Sequence, residues 1–220
     1  MIPASRSVPD LADFLTRRLR APLPGVEAQR RFAPRPMADG WSPDWRPDTA
    51  RHAAVLLLLY PGTHGPAVPL TLRRATLSSH PGQISLPGGA IDPGESVEAA
   101  ALREADEEIG VDPSTVQVLG RLSTVWVAVS RFVITPVVAV ASEPPAFRLH
   151  ADEVETLIEG PVSHLLDRST IAWSRRRHGG LWVDYPYFAI DNRIVWGATA
   201  MVLGEFVALF EESEKYEVRS

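Results

Sequence analysis

The sequence predicts an α+β or α/β sandwich, and three features carry that prediction. Residues 53–60 form a short, unbroken apolar run, as expected of a strand buried on both faces. Residues 96–109 form one strong helical pattern between strand-like segments. Valine-rich runs and a final apolar helical pattern follow, so the order is strands, helix, strands, helix.

Taken in order, residues 9–20 predict an amphipathic helix, with Leu11, Phe14, Leu15 and Leu19 at helical spacing and Pro9 at its start. In residues 21–50, six prolines (Pro22, Pro24, Pro34, Pro36, Pro43, Pro47) exclude regular structure. Phe32, Trp41 and Trp45 in this arm want burial, so it should pack on the domain. The strand Ala53–Tyr60 ends at Pro61-Gly62, and Val68–Arg73 is its hairpin partner. Ser96 can cap the helix that runs to Ile109, and Gly110 suits its left-handed C-terminal position. Val116–Val127 and Phe132–Ala141 read as two strands across a short polar turn. Trp182–Ile190 and Arg193–Trp196 are later strands, and Ala198–Phe210 is a helix.

Composition narrows the function. With 220 residues, 45% hydrophobic and 22% charged, the chain suits one globular domain with terminal extensions. Its formal net charge of -5 argues against a general nucleic-acid binder, which needs a basic footprint. Lys215 is the only lysine, an arginine bias that suits phosphate contacts but that genome base composition explains more simply. The absence of cysteine excludes disulfides, thiolate nucleophiles and cysteine-based zinc sites. Residues 1–20 carry no apolar core of a secretory signal, and no apolar run approaches the ~20 residues that span a bilayer. A cytoplasmic protein without membrane partners is expected.

The chemistry concentrates on the central helix. Ala101, Leu102, Ala105 and Ile109 form one stripe that should face the core. Glu104, Glu107 and Glu108 fall at i, i+3 and i+4 on a neighbouring face. Three carboxylates so close repel one another, and a hard divalent cation with oxygen ligands resolves the repulsion. Arg103 and Glu95 are placed to orient those carboxylates, and the paired glycines Gly88 and Gly89 let backbone approach a ligand. On the residues alone a second reading stands beside this one, an acid-rich solvated helix with an Arg–Glu pair.

The full spacing is more specific. Gly89, five residues, Glu95, seven residues, then Arg103-Glu104-Ala105-Asp106-Glu107-Glu108-Ile109-Gly110-Val111 resembles the Nudix box. Ala105 stands where a larger aliphatic residue is common. The resemblance implies a Nudix-type α/β/α sandwich with a mixed central sheet and hydrolysis of a P–O–P bond with Mg²⁺ or Mn²⁺. It implies Glu104 and Glu108 as principal metal ligands, with Glu107 and the Gly89 carbonyl contributing. Glu104 falls at the position that some members use as general base, and Arg103 and Glu95 would brace the site. Residues 51–212 would form the hydrolase domain, after the helix and arm of 1–50 and before a tail at 213–220.

The flanks resemble the coenzyme A diphosphatase branch, which splits CoA into phosphopantetheine and adenosine 3′,5′-bisphosphate. The matching segments are residues 70–73, 77–89, 129–138, 152–155 and 194–200. The resemblance implies substrate contacts from Arg73, His80, Gly82 and Gln83, and a further ligand or base in Glu153. Arg74, Ser78, Leu86 and Arg131 depart from the signature. Ser78 replaces an arginine, and Arg74 is the neighbouring candidate to replace it. The alternatives are a Nudix hydrolase of another nucleoside diphosphate derivative (a nucleoside triphosphate, ADP-ribose or a dinucleotide) and a non-catalytic binding module. Each flank also has a structural reading: His80 as a packed loop histidine, Trp196-Gly197 as strand-end packing, Arg175–Arg177 as a solvated loop, and Asp152–Glu155 as a solvated loop. A small nucleoside diphosphate compound, CoA-like, is the expected partner, and a homodimer the expected assembly.

Overall fold

The computed structural model describes residues 7–36, 47–75, 82–178 and 180–217. The order is α1 (Val8–Arg18), α2 (Gly25–Arg30), β1 (Arg51–Gly62), β2 (Gly65–Arg73), β3 (Ile84–Ser85), β4 (Gly88–Ala90) and α3 (Val97–Ile109). There follow β5 (Val116–Arg121), β6 (Val125–Val127), β7 (Phe132–Ala141), β8 (Val154–Pro161), α4 (Val162–Leu166), β9 (Ile171–His178), β10 (Leu181–Ile190), β11 (Arg193–Val195) and α5 (Gly197–Glu217).

Strand β1 organises the molecule. It pairs in parallel with β7 from Arg51↔Phe132 to Leu59↔Val140. Its other edge takes β4, Ala53↔Ala90 to Val55↔Gly88, and its end turns into the hairpin with β2. With β3 and β8 on β2, and β5 and β6 on β7, these strands form one mixed sheet of eight. Strands β9, β10 and β11 form a separate antiparallel sheet of three.

The alternation of side chains along β1 explains the layers. Ala54, Leu56, Leu58 and Tyr60 pack with Ala100, Ala101, Ala105 and Ile109 of α3. Leu57 and Leu59 point the other way, into a core shared with Leu11 and Leu15 of α1 and Leu203, Phe206 and Phe210 of α5. A strand apolar on both faces thus separates two helical layers, as expected of the α/β/α sandwich. Among the described residues no helix is long and apolar enough to cross a membrane.

Local chemistry sets the helix ends. Ser7 and Asp10 make a reciprocal capping box on α1. The Ser96 hydroxyl accepts from the Ala99 amide, and Gly110 closes α3 at φ 70°. The core face of α3 differs in detail from the expected stripe: Ala100 is fully buried, Leu102 is half-buried, and Glu108 is buried as well.

Other expectations need correction. The arm holds a short helix, α2, because residues 25–33 between Pro24 and Pro34 contain no proline. Phe32 lies buried on Phe188, ring centroids 4.7 Å apart, where Gly204 leaves room for it. Trp41 and Trp45 lie outside the described residues. The expected strand Val116–Val127 is two strands, bulged between Val118 and Gly120 and broken where Leu122 turns into the core. Arg175–Arg177, expected in a loop, lie on β9 with their side chains exposed.

A buried carboxylate joins the arm to this framework. Glu205 of α5 is fully buried. It accepts from the Gly25 amide at 3.1 Å, the Ser123 amide at 3.2 Å and the Gln29 side-chain amide at 2.7 Å. Glu205→Ala strands these donors together, so urea unfolding should show a loss of at least ~3 kcal/mol.

Candidate active site

The site forms where α3 crosses β1 and β4. Gly88 pairs with Val55 at φ 154°, a conformation suited to glycine, and a Cβ there would come within 2.6 Å of the Val55 Cα. At Gly89 a Cβ would overlap the Glu104 carboxylate. The paired glycines therefore admit the helix, and with it the Glu104 carboxylate, onto the strand.

Arg103 is the hub of the acidic face. Its Nε and Nη2 donate to the two oxygens of Glu95 at 2.9 and 3.0 Å. Nη1 donates to Glu104 at 2.9 Å and to Glu107 at 3.0 Å, and Nη2 also donates to the Ala90 carbonyl at 3.1 Å. All five N–H donors of a guanidinium are thereby used. These bonds, that with Glu95 first, push the Arg103 pKa further up and hold Glu95 below the usual carboxylate range.

Glu108 lies on the other side of the crossing and is 3% exposed. It accepts from the Gly88 amide at 3.3 Å and from Arg73 Nη1 at 3.4 Å. Burial pushes its carboxyl up to about 7 against the opposing pull of Arg73 and Gly88, with the charges of Glu104 and Glu153 adding to the rise. Burial also raises Glu104, which Arg103 opposes and the charges of Glu107 and Glu153 reinforce.

The remaining candidates lie around this pair. Arg73 ends β2, its amide donating to the Gln83 carbonyl at 2.9 Å and its carbonyl accepting from Gly82 at 3.1 Å. His80 and Ser78 lie outside the described residues. The loop carrying Glu153 is tied to the end of α3, with Arg148 donating to the Ile109 carbonyl and His150 to the Glu108 carbonyl. Trp196 packs on Tyr185 with ring centroids 4.8 Å apart and planes tilted by 45°, and lies under the Arg176 guanidinium, a packing arrangement. Sequence reasoning missed the Gly88 amide, the Ala90 carbonyl and the burial of Glu108; only the glycine pair signalled a close backbone approach.

A NUDIX domain model matches residues 50–159. The uncharacterized Nudix hydrolase NudL of Photorhabdus laumondii is 36% identical over 159 residues, covering 71% of this chain and 83% of that protein. The chain belongs to the Nudix hydrolase family. NudL of Enterobacter sp. is 38% identical over 162 residues, covering 70% of this chain and 80% of the relative. Among solved structures, the Nudix hydrolase RenU of M. smegmatis aligns with 85% of this chain and 94% of its own, at TM-score 0.47 and 22% identity. As a Nudix hydrolase the protein acts on phosphorus-containing anhydrides.

The donor set fits a hard divalent cation. It offers three carboxylates on one helix, in mutual repulsion at Glu104 and Glu108, and a backbone cradle at Gly89 that a side chain would fill. Among the described residues no three acidic or imidazole groups already converge on one point. Arg103 draws Glu104 and Glu107 to itself, while Glu108 turns to Gly88 and Arg73. A cation must therefore compete with Arg103 for those two carboxylates, whereas the Glu95 and Ala90 contacts of Arg103 can persist.

Gly89→Ala should displace Glu104 and lower turnover by about 100-fold, with a much smaller effect on the melting temperature. In EDTA, the raised Glu108 carboxyl binds a proton in the folded state over a range where the unfolded chain has lost it. Folding stability should therefore fall as pH rises from about 4.5 to about 7, by up to ~3 kcal/mol from this group. Glu108→Gln should remove that component of the pH profile in urea unfolding.

Proposed function

We propose that this Nudix hydrolase cleaves the diphosphate of coenzyme A or its acyl derivatives, releasing phosphopantetheine (or its acyl form) and adenosine 3′,5′-bisphosphate. The observation that supports this substrate is the position of Arg73. Its backbone pairs with that of Gly82 and Gln83 and its guanidinium reaches Glu108, so these two residues of the segment resembling the CoA signature are tied to an arginine that contacts the acidic cluster.

In this reading Glu104, Glu107, Glu108 and the Gly89 carbonyl hold Mg²⁺ or Mn²⁺. When bound, such a cation offsets diphosphate charge and lowers the pKa of a coordinated water. Arg103, fixed by Glu95 and Ala90, keeps Glu104 and Glu107 on the same side of the helix. Glu104, only 17% exposed and raised by burial, or Glu153 on its loop, accepts the proton of the attacking water. Arg73, with one long bond to Glu108, offers its other donors to a phosphate oxygen as charge develops on the leaving group.

One observation favours a different nucleoside diphosphate substrate. Ser78 replaces an arginine of the signature, and the Arg74 guanidinium is engaged with the Ala151 carbonyl at 2.6 Å instead of standing in for it. Incubation with CoA, NADH, ADP-ribose and dGTP in Mg²⁺ or Mn²⁺, with products identified by mass, separates the readings. Adenosine 3′,5′-bisphosphate supports the CoA reading; AMP or a nucleoside monophosphate moves the assignment to another diphosphate; an inert protein points to a binding module. With the substrate so found, Glu108→Gln should lower turnover by at least ~1,000-fold, the equivalent of several kcal/mol, while circular dichroism shows an unchanged fold.

A further inference from the structure

Arg73 and Arg74 are adjacent, yet their side chains go to different places. The ladder between β2 and β8 shifts register there: Leu72 faces Thr156 and Arg73 faces Val154, leaving Glu155 as the extra, exposed residue. A bulge of this kind re-aims side chains. Arg73 reaches Glu108, while Arg74 turns to the loop between β7 and β8, its Nη1 donating to the Ala151 carbonyl at 2.6 Å and its amide to the Glu153 carbonyl at 3.0 Å.

That loop is tied on two sides. Toward α3, the Arg148 and His150 amides donate to the carbonyls of Ile109 and Glu108 at 2.8 and 2.9 Å. Toward β2, Arg74 supplies the tie. Within the loop, the Glu153 and Val154 amides both donate to the His150 carbonyl, at 3.1 and 2.9 Å. Glu153 itself is half exposed, its carboxylate 4.0 Å from His150 Nδ1. Its placement facing the acidic cluster therefore depends on where its backbone is held. A charge-assisted bond from a guanidinium to a carbonyl is short and directional, suited to fixing a loop.

We propose that Arg74 is a positioning residue that holds the Glu153 loop against the metal-binding helix, and not a phosphate-binding residue. This rests on the reading of Glu153 as a base or ligand of the reaction. The role belongs to the guanidinium as well as to the backbone, since the Ala151 bond is made by the side chain.

The test compares Arg74→Ala, Arg74→Lys, Glu153→Gln and the double variant Arg74→Ala/Glu153→Gln in the full-length protein. The probe is CoA or, if CoA is inert, the diphosphate of the panel that is cleaved fastest. Arg74→Ala should lower kcat by up to about tenfold with KM changed less than about twofold, and Arg74→Lys should restore most of it. In the Glu153→Gln background, Arg74→Ala should have no further effect, because both changes act through the same carboxylate. A rise in KM at unchanged kcat, or losses that multiply in the double variant, would overturn the inference. So would a loss in Glu153→Gln together with a silent Arg74→Ala. If Glu153→Gln retains full kcat, the reading of Glu153 fails first, and the inference with it.

Discussion

The approach of helix α3 to strands β1 and β4 governs the geometry of the site. At the crossing the helix presents Ala100, Ala101 and Ala105, all fully buried, and the strand beneath presents Ala54, while β4 presents two glycines. A larger side chain at any of these positions would lift the helix, because protein interiors leave no slack of that size. Since Glu104 and Glu108 ride on the same turns as those alanines, their distance from the backbone of β4 is fixed by the absence of side-chain bulk. The position of the acidic groups is thus settled by packing before any electrostatic term is considered.

Electrostatics then divides the cluster into two environments. Glu95, Glu104 and Glu107 share the Arg103 guanidinium, Glu107 on the exposed side, whereas Glu108 is enclosed and, among the described residues, bonds to Arg73 and the Gly88 amide. Carboxylates on one helix therefore differ in how readily they ionise. The arginines are arranged to match: Arg103 is saturated with partners, while the Arg73 guanidinium makes, among the described residues, one long bond to Glu108. Rigid bracing and an available cation are different tasks, and adjacent elements supply one each.

Much of this was legible in the sequence, for local reasons. Ser96 and Gly110 mark the ends of α3 because capping is a matter of a few residues. The apolar run of β1 signals two buried faces, and the spacing of Glu104, Glu107 and Glu108 signals a shared side of the helix. What was not legible depends on distant partners. The two- and three-residue strands β3 and β4 form through pairing with β2 and β1, and Glu108 is buried where Gly88 of β4 and Arg73 of β2 meet it. The run Arg175–Arg177 reads as a loop because it is all charged, and its strand character comes from β10 beside it. The helix α2 was hidden by flanking prolines, and its start is held by Glu205 from the far end of the chain.

The parallel pairing of β1 with β7 has a consequence for how the protein assembles. Arg51 meets Phe132 across a loop that contains β2, β4 and the whole of α3. Closing a segment of about 80 residues demands entropy before any contact returns it, so this pairing belongs among the slow, non-local events of folding. The hairpin of β1 with β2 and the capped helix α3 can form early, but the floor beneath the glutamates is complete only when the strand from the second half of the chain arrives. A nascent chain emerging from the ribosome therefore carries its acidic helix, with β1 and β4, for some time before the strand that completes the sheet beneath it is available.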